Sequence, residues 1–397
     1  MIQSTVPMYA YAFLVVLCTY CLSRRLYPSP KPHVPKRLTS LADIEQLLSR
    51  PAHIADHLSS RALANARLAR AFNINSTFVN SDVAAHGAFT KFATALISPR
   101  NLPWGRLAYV AKQMVSVHLL CTNFPSIVAF DTLIRRITLH VILVALLAGY
   151  VDESAIEVDD LDLVAVGINK IWTLSKSSTY CPELLEEVNL RLRRWLPTYD
   201  NPIEIIIPTY ETMWRVVAVA VSLAYDDVEA TRLFAALLKQ PTNEQYRNLA
   251  DNSISVDNFM QEVLRLYPPT RRISRVMPVT SPSILTKLLP QFFTRQLTVA
   301  ADIEALQRDS CWASSLGEFD PARHHPQRCT RQQPRTLLAF GAGKLTCVAK
   351  NWAPQAAAIL VAAILDQVGL EKDLNIKAGR AVGGREGWEG WSVRKSL

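Results

Sequence analysis

The chain has 397 residues, 49% of them Ala, Val, Ile, Leu, Met, Phe, Trp, Tyr or Cys, and a formal net charge of +9. That apolar share supplies a large buried core and excludes a disordered or fibrous chain. The positive charge would suit nucleic acid, an anionic surface or an acidic partner. The basic residues are spread thinly, however, with neither zinc-finger spacing nor an aromatic RNA-binding signature, so no nucleic-acid partner is expected.

From Val6 to Leu22 the sequence is almost purely apolar, and Ser23, Arg24 and Arg25 come directly after it. The run is within the range of about 17–25 residues that crosses a bilayer. Arginines on its C-terminal side place the remainder of the chain in the cytosol. Pro28, Pro30, Pro32 and Pro35 then make a stiff spacer. No positive charge precedes the run and no small-residue cleavage site ends it, so residues 1–35 read as a retained membrane anchor and hinge, and residues 36–397 as one domain. With that topology the sequon Asn75-Ser76-Thr77 faces the cytosol and stays unmodified. No long linker, internal repeat or low-complexity tract divides the domain.

Helical patterning dominates. Leu41–Ala71 reads as amphipathic helical material, and Ser81-Asp82 can cap a helix carrying His86, Phe89 and Phe92. The apolar run from Ile137 to Tyr150, which contains His140, is too short for a span and reads as a buried core helix. Further helices are expected over 160–175 and 182–195, where Arg191, Arg193 and Arg194 beside Glu186 and Glu187 mark a solvated face. Ile205–Tyr225 reads as a central buried helix with Pro208 in its first turn or kinking it. A helix over 257–266 stops at Pro268-Pro269, and an Ala-rich helix runs over 352–368. Strand-like stretches are few and short, with 270–279 and 296–299 as candidates. The fold class is mainly α with a minor β component.

The cysteines stand at 18, 21, 121, 181, 311, 329 and 347, an irregular set that fits a reducing compartment. Cys18 and Cys21 lie inside the apolar run, with no second pair to complete a zinc site. The informative segment runs from Ala339 to Ala349. It is not a phosphate-binding loop: the first glycine of that motif would fall at Leu338, and Leu345 comes after Lys344. Instead, glycines at 341 and 343 allow tight turns and close approach to a flat ligand. Cys347 stands just ahead of a helix expected to begin at Ala349 or Lys350, where amide donors favour a thiolate.

Phe340, Gly343, Cys347 and Ala349 resemble the cysteine loop of the cytochromes P-450, F-x-x-G-x-[RH]-x-C-x-[GA]; Leu345 departs from it, where the family usually has a base. Glu262-Val-Leu-Arg265 with Leu-Tyr-Pro-Pro after it, 85 residues before Cys347, resembles the family's E-x-x-R helix. Phe319-Asp-Pro-Ala-Arg323 resembles the segment that supplies its third member. Glu211-Thr212, preceded by Pro208 and Thr209 instead of the usual small pair, resembles the acid–alcohol pair of the family's central helix.

The resemblance implies a prism of helices with haem b ligated by Cys347, and with Phe340, Gly343 and Ala349 under the ring. It implies a structural network of Glu262, Arg265 and Arg323, and Arg275 near a propionate. Thr212 would be the direct contact to iron-bound oxygen and Glu211 the proton relay. His86 reads as an ordinary helix histidine. The stretch before its helix is short for the family, which implies a trimmed first helix and N-terminal sheet. The implied function is insertion of one oxygen atom from O2 into a small hydrophobic substrate. Electrons would come from an NADPH–haemoprotein reductase, and the site would be the endoplasmic reticulum membrane. The closing AKNWAPQAAAILVAAIL is similar to fungal secondary-metabolism members. The alternative is a truncated haem-binding membrane protein without catalysis.

Overall fold

A computed structural model of the chain describes residues 35–49, 53–76, 78–119, 126–249, 254–280, 294–312, 317–369 and 372–395. The expected anchor, Cys18, Cys21, Cys121 and Thr77 of the sequon lie outside them. Contacts divide the chain into a larger unit, residues 37–276 and 300–397, and a smaller one, residues 1–36 and 277–299. The described part of the smaller unit is strand apart from Pro35.

After strand β1 (Lys36–Leu38), the amphipathic stretch over 41–71 forms three helices: α1 (Leu41–Ser49), α2 (Ile54–Ala64) and α3 (Ala66–Phe72). Asn65 separates the last two, leaving helical geometry at φ −102°, ψ 7°. Its side-chain amide donates to the Phe78 carbonyl at 2.9 Å. α4 (Val83–Leu96) starts as expected, with the Asp82 carboxylate accepting the Ala85 N–H at 2.6 Å.

α5 (Trp104–Leu119), β2 (Ile127–Ala129) and α6 (Phe130–Val141) come next, and α6 widens into a π-turn at Ile142–Leu146. The run from Ile137 is a buried core element, as its length indicated. Its polar exception, His140, meets the buried His118 of α5 at 2.9 Å. On α7 (Val158–Ser175) and α8 (Pro182–Trp195) the arginine cluster is paired as a solvated face should be. Arg191 meets Asp160 at 3.1 Å, Arg194 meets Glu157 at 2.9 Å, and Arg193 meets Glu186.

The expected single helix over 205–225 is two: α9 (Ile203–Tyr210) and α10 (Met213–Ala224), interrupted at Glu211-Thr212. Pro208 lies inside α9 and not in its first turn. It has no N–H for the Glu204 carbonyl, and its ring crowds that turn, so the ladder is weakened just before the interruption. This stretch, Ile203–Ala224, is long and apolar enough to cross a membrane, but 78% of its apolar 18-residue window is buried inside the protein.

α11 (Val228–Lys239) and α12 (Val256–Leu266) succeed it, the latter closed by a reciprocal Ser255–Asn258 capping box. β3 (Arg272–Thr280) and β4 (Thr294–Asp302) form a three-stranded sheet with β1 in the order β1-β4-β3. α13 (Ala353–Leu365) packs against α11, α5 and α10, and Gln355–Leu365 is buried on every face. β5 (Leu374–Lys377) and β6 (Ser392–Lys395) pair with β2 in the antiparallel order β2-β6-β5, Val393 opposing both Val128 and Ile376.

Candidate active site

The cysteine loop is shaped by backbone bonds. Gly341 N–H donates to Leu338 at 2.8 Å, and Cys347 N–H donates back to Phe340 at 3.0 Å. Gly343 has φ +70°, and a Cβ there would stand 2.6 Å from the Leu48 carbonyl oxygen of α1. That glycine is required by the approach of α1. The helix after the loop begins at Ala353, not at 349 or 350; a turn fills 348–352. Pro354 sets this start, since proline is at home in a first turn and would break a ladder already running. The helix N-terminus therefore does not sit at Cys347.

A cavity of about 350 Å³ is lined by Phe340, Leu345, Cys347 and Ala349 of the loop, by Thr212 and Met213, by Arg61 of α2 and by Arg275 of β3. Burial pushes the Cys347 thiol pKa up, and a hydrogen bond from the Ala349 N–H works against that shift. Arg275 is buried and donates to the Ser274 carbonyl at 2.9 Å, but its Nε has no hydrogen-bond partner among the described residues. Burial pushes its pKa down to about 10. Arg61 is likewise pushed down to about 10, by burial and then by the charge of Arg275. Two like charges facing one cavity call for an anion between them.

A buried ionic network is built around Glu262. Glu262 and Arg265, both wholly buried on α12, pair at 2.7 and 2.8 Å. Arg323 reaches Glu262 at 3.5 Å, and the Asp320 N–H donates to it at 3.1 Å. His324 Nε2 adds a contact at 2.9 Å. Burial alone would raise the Glu262 pKa; hydrogen bonds from Arg265 and His324 outweigh it and bring it down to about 2.

Residues 254–374 match the family model described as Cytochrome P-450. Among solved structures, CYP175A1 from Thermus thermophilus is similar at 14% identity and TM-score 0.62, over 100% of this chain and 99% of that one. A 6-coordinated cytochrome P-450, also from Thermus thermophilus, is similar at 14% identity and TM-score 0.59, over 91% and 92%. CalO2 is similar at 15% identity and TM-score 0.57, over 96% of each chain. No curated protein matches the sequence.

The fold is that of the cytochromes P-450. The family match covers residues 254–374 and spans Glu262, Arg265, Arg323 and Cys347. The cytochrome P-450 fold and family imply a haem with thiolate ligation. The residues present fit that group: Cys347 and Thr212 line one cavity, and the orphaned Arg275 Nε and the Arg61 charge suit its carboxylates.

The structure thus gathers Thr212, Cys347, Phe340, Ala349 and Arg275 around one cavity and places Glu262, Arg265 and Arg323 together elsewhere. Gly343 and Glu211 are not among the cavity-lining residues. Glu211, 2% exposed, pairs with Arg385 and with Arg215 at 3.6 Å. Burial raises its pKa, against the pull of Arg385 and Arg215. His86 also stays off the lining; burial lowers its pKa, and so does the charge of Arg61.

Arg61, His324 and Arg385 were invisible as site residues in the sequence. His324 is the next residue after the recognised Arg323, which was the one available signal. Arg61 and Arg385 belong to no motif and become neighbours of the site only through tertiary packing.

Proposed function

We propose that this chain is a haem-thiolate monooxygenase that inserts one oxygen atom from O2 into a small organic substrate. The observation that carries the reading is the convergence of Cys347, Thr212, Arg61 and Arg275 on one cavity. A haem bound there, of the b type, supplies binding and activation of O2 at a thiolate-held iron. Cys347 would hold the metal through its sulfur, as a thiolate. Arg61 and Arg275 take the haem carboxylates, a role that leaves Leu345 free to be apolar. The Thr212 hydroxyl stands at the interruption between α9 and α10. The Thr212 backbone carbonyl accepts the Val216 N–H at 3.3 Å, and the residue lines the cavity, where its hydroxyl would hold a proton or a water. Phe89, Ile97 and Met213 give the lining an apolar side.

The electron donor we assign is an NADPH–haemoprotein reductase. The apolar run over 6–22 with Arg24-Arg25 behind it supports an anchor in the endoplasmic reticulum membrane with the catalytic part cytosolic. The likeness of the C-terminal helix sequence to fungal members supports a place in secondary metabolism. A second reading, a haem binder without turnover, draws on the position of Glu211, which is tied to Arg385 and absent from the cavity lining.

The test is turnover with a purified reductase under isotopically labelled O2. Label in the organic product is expected. Haem-loaded protein that consumes no NADPH with any reductase or candidate substrate would replace the oxygenase reading with the second one.

A further inference from the structure

A second cavity, of about 420 Å³, shares Thr212, Pro269, Thr270 and Arg272 with the first, and no residue of the cysteine loop lines it. A molecule in it therefore lies against Thr212 from a side other than that of Cys347. Its wall carries Lys176, Arg215, Arg271, Arg272 and Arg385, with Glu386 the carboxylate among its lining residues. We propose that this cavity receives an anionic head, a carboxylate or a phosphate, of the substrate. The proposal rests on the oxygenase reading for the word substrate, and on this cavity alone for the anion.

The surrounding carboxylates do not use up these cations. Glu211 is shared by Arg385 and Arg215. Glu304 is shared by Arg271 at 3.6 Å and Arg308 at 3.7 Å. Asp302 is shared by Arg272 at 3.2 Å and Arg37 at 4.0 Å. Each acid balances one charge where two stand. Lys176 makes no ion pair among the described residues. Burial lowers its pKa, as do the charges of Arg385, Arg67 and Arg215, while Glu386 opposes them. Glu386 itself accepts from the Thr173 hydroxyl at 2.8 Å.

An ordinary solvated rim would account for Arg271 and Arg272, whose side chains are 56% and 47% exposed. It does not account for Arg215 and Arg385, at 13% and 8%. Burying two guanidinium groups against one carboxylate is costly unless a further anion arrives. The Arg385 guanidinium also stands 4.5 Å over the Trp172 ring, a cation–π contact that restrains it beside the cavity, and an arginine suits a bidentate acceptor. Trp172, Val219 and Pro268 supply apolar wall for the remainder of the ligand.

The experiment titrates decanoate, decyl phosphate, decan-1-ol and decylamine into the haem-containing protein by calorimetry, with the Soret band recorded alongside. At least one of the two anions should bind about tenfold or more tighter than the alcohol, as one charge-assisted hydrogen bond supplies. The two anionic arms distinguish a carboxylic acid from a phosphate ester. Lys176→Met should erase most of that preference while leaving alcohol binding unchanged, and Arg385→Met should do the same where it folds. Equal binding of the alcohol, tighter binding of the amine, or no binding of either anion overturns the proposal. An anion preference in protein that takes up no haem would sustain the anion site and remove the oxygenase reading.

Discussion

Glu262→Gln keeps the size of the side chain and removes its charge at the centre of the buried network. In the native protein the carboxylate accepts from Arg265, His324 and the Asp320 amide, and Arg323 stands at 3.5 Å. The variant removes the buried counter-charge that Arg265 pairs with and leaves Arg323 with Asp320 at 3.9 Å, and breaking such a buried pair costs about 3–5 kcal/mol. With an unfolding entropy of about 2.1 cal/mol/K per residue, that corresponds to a fall in Tm of roughly 4–6 °C for a chain of this length. The pH dependence has a definite sign. The folded pKa is held down to about 2 by the Arg265 and His324 hydrogen bonds, against burial. The stabilisation is therefore present above the ordinary glutamate pKa of about 4.3 and lost as pH falls toward 2. Its size at neutral pH is about 3 kcal/mol. Circular dichroism melts of both proteins at neutral pH and at several points down to acid will measure this. The Tm gap should be full at neutral pH and close as the native carboxylate protonates. A gap below about 1 °C at neutral pH, or one that widens in acid, would refute the reasoning.

Gly343→Ala should cost about 1–3 kcal/mol in urea unfolding, because φ +70° disfavours a Cβ and the Leu48 carbonyl occupies its place; Gly87→Ala, with nothing near the added carbon, should not. Arg61→Met and Arg275→Met should each release haem to a scavenging apoprotein about tenfold faster, with Cys347 ligation unchanged; unaltered release from both would remove them from the haem site. Thr212→Ala should keep its haem content while diverting electrons from product to hydrogen peroxide, and unchanged coupling would remove the proton-holding role.

Much of the site was legible where a local motif carries its own chemistry. The Glu262–Arg265 pair is spaced on one helix face, and Phe340 to Ala349 is one loop, so short patterns suffice to find them. Some helix starts were legible too, at the Asp82 cap and at Pro182, whereas the helices Trp104–Leu119 and Val228–Lys239 and the Ser255 cap were not read from the sequence. What stayed hidden depends on distant partners. Arg61 lines the cavity with Arg275, and Arg385 finds Glu211, across separations that no helical or strand period reports. The interruption at Glu211-Thr212 was half legible, since Pro208 announced a disturbance without locating its end. The late start of α13 was legible in principle from Pro354, but the apolar run beginning at Trp352 obscured it.

The central claim is that Cys347 holds haem iron as a thiolate, and the carbon monoxide spectrum of the reduced protein tests it most directly. The wild-type protein and Cys329→Ala should both give the red-shifted Soret band of thiolate ligation, and Cys347→Ala should lose it. A histidine-type band in undamaged wild-type protein, or a thiolate band that survives in Cys347→Ala, would contradict the account.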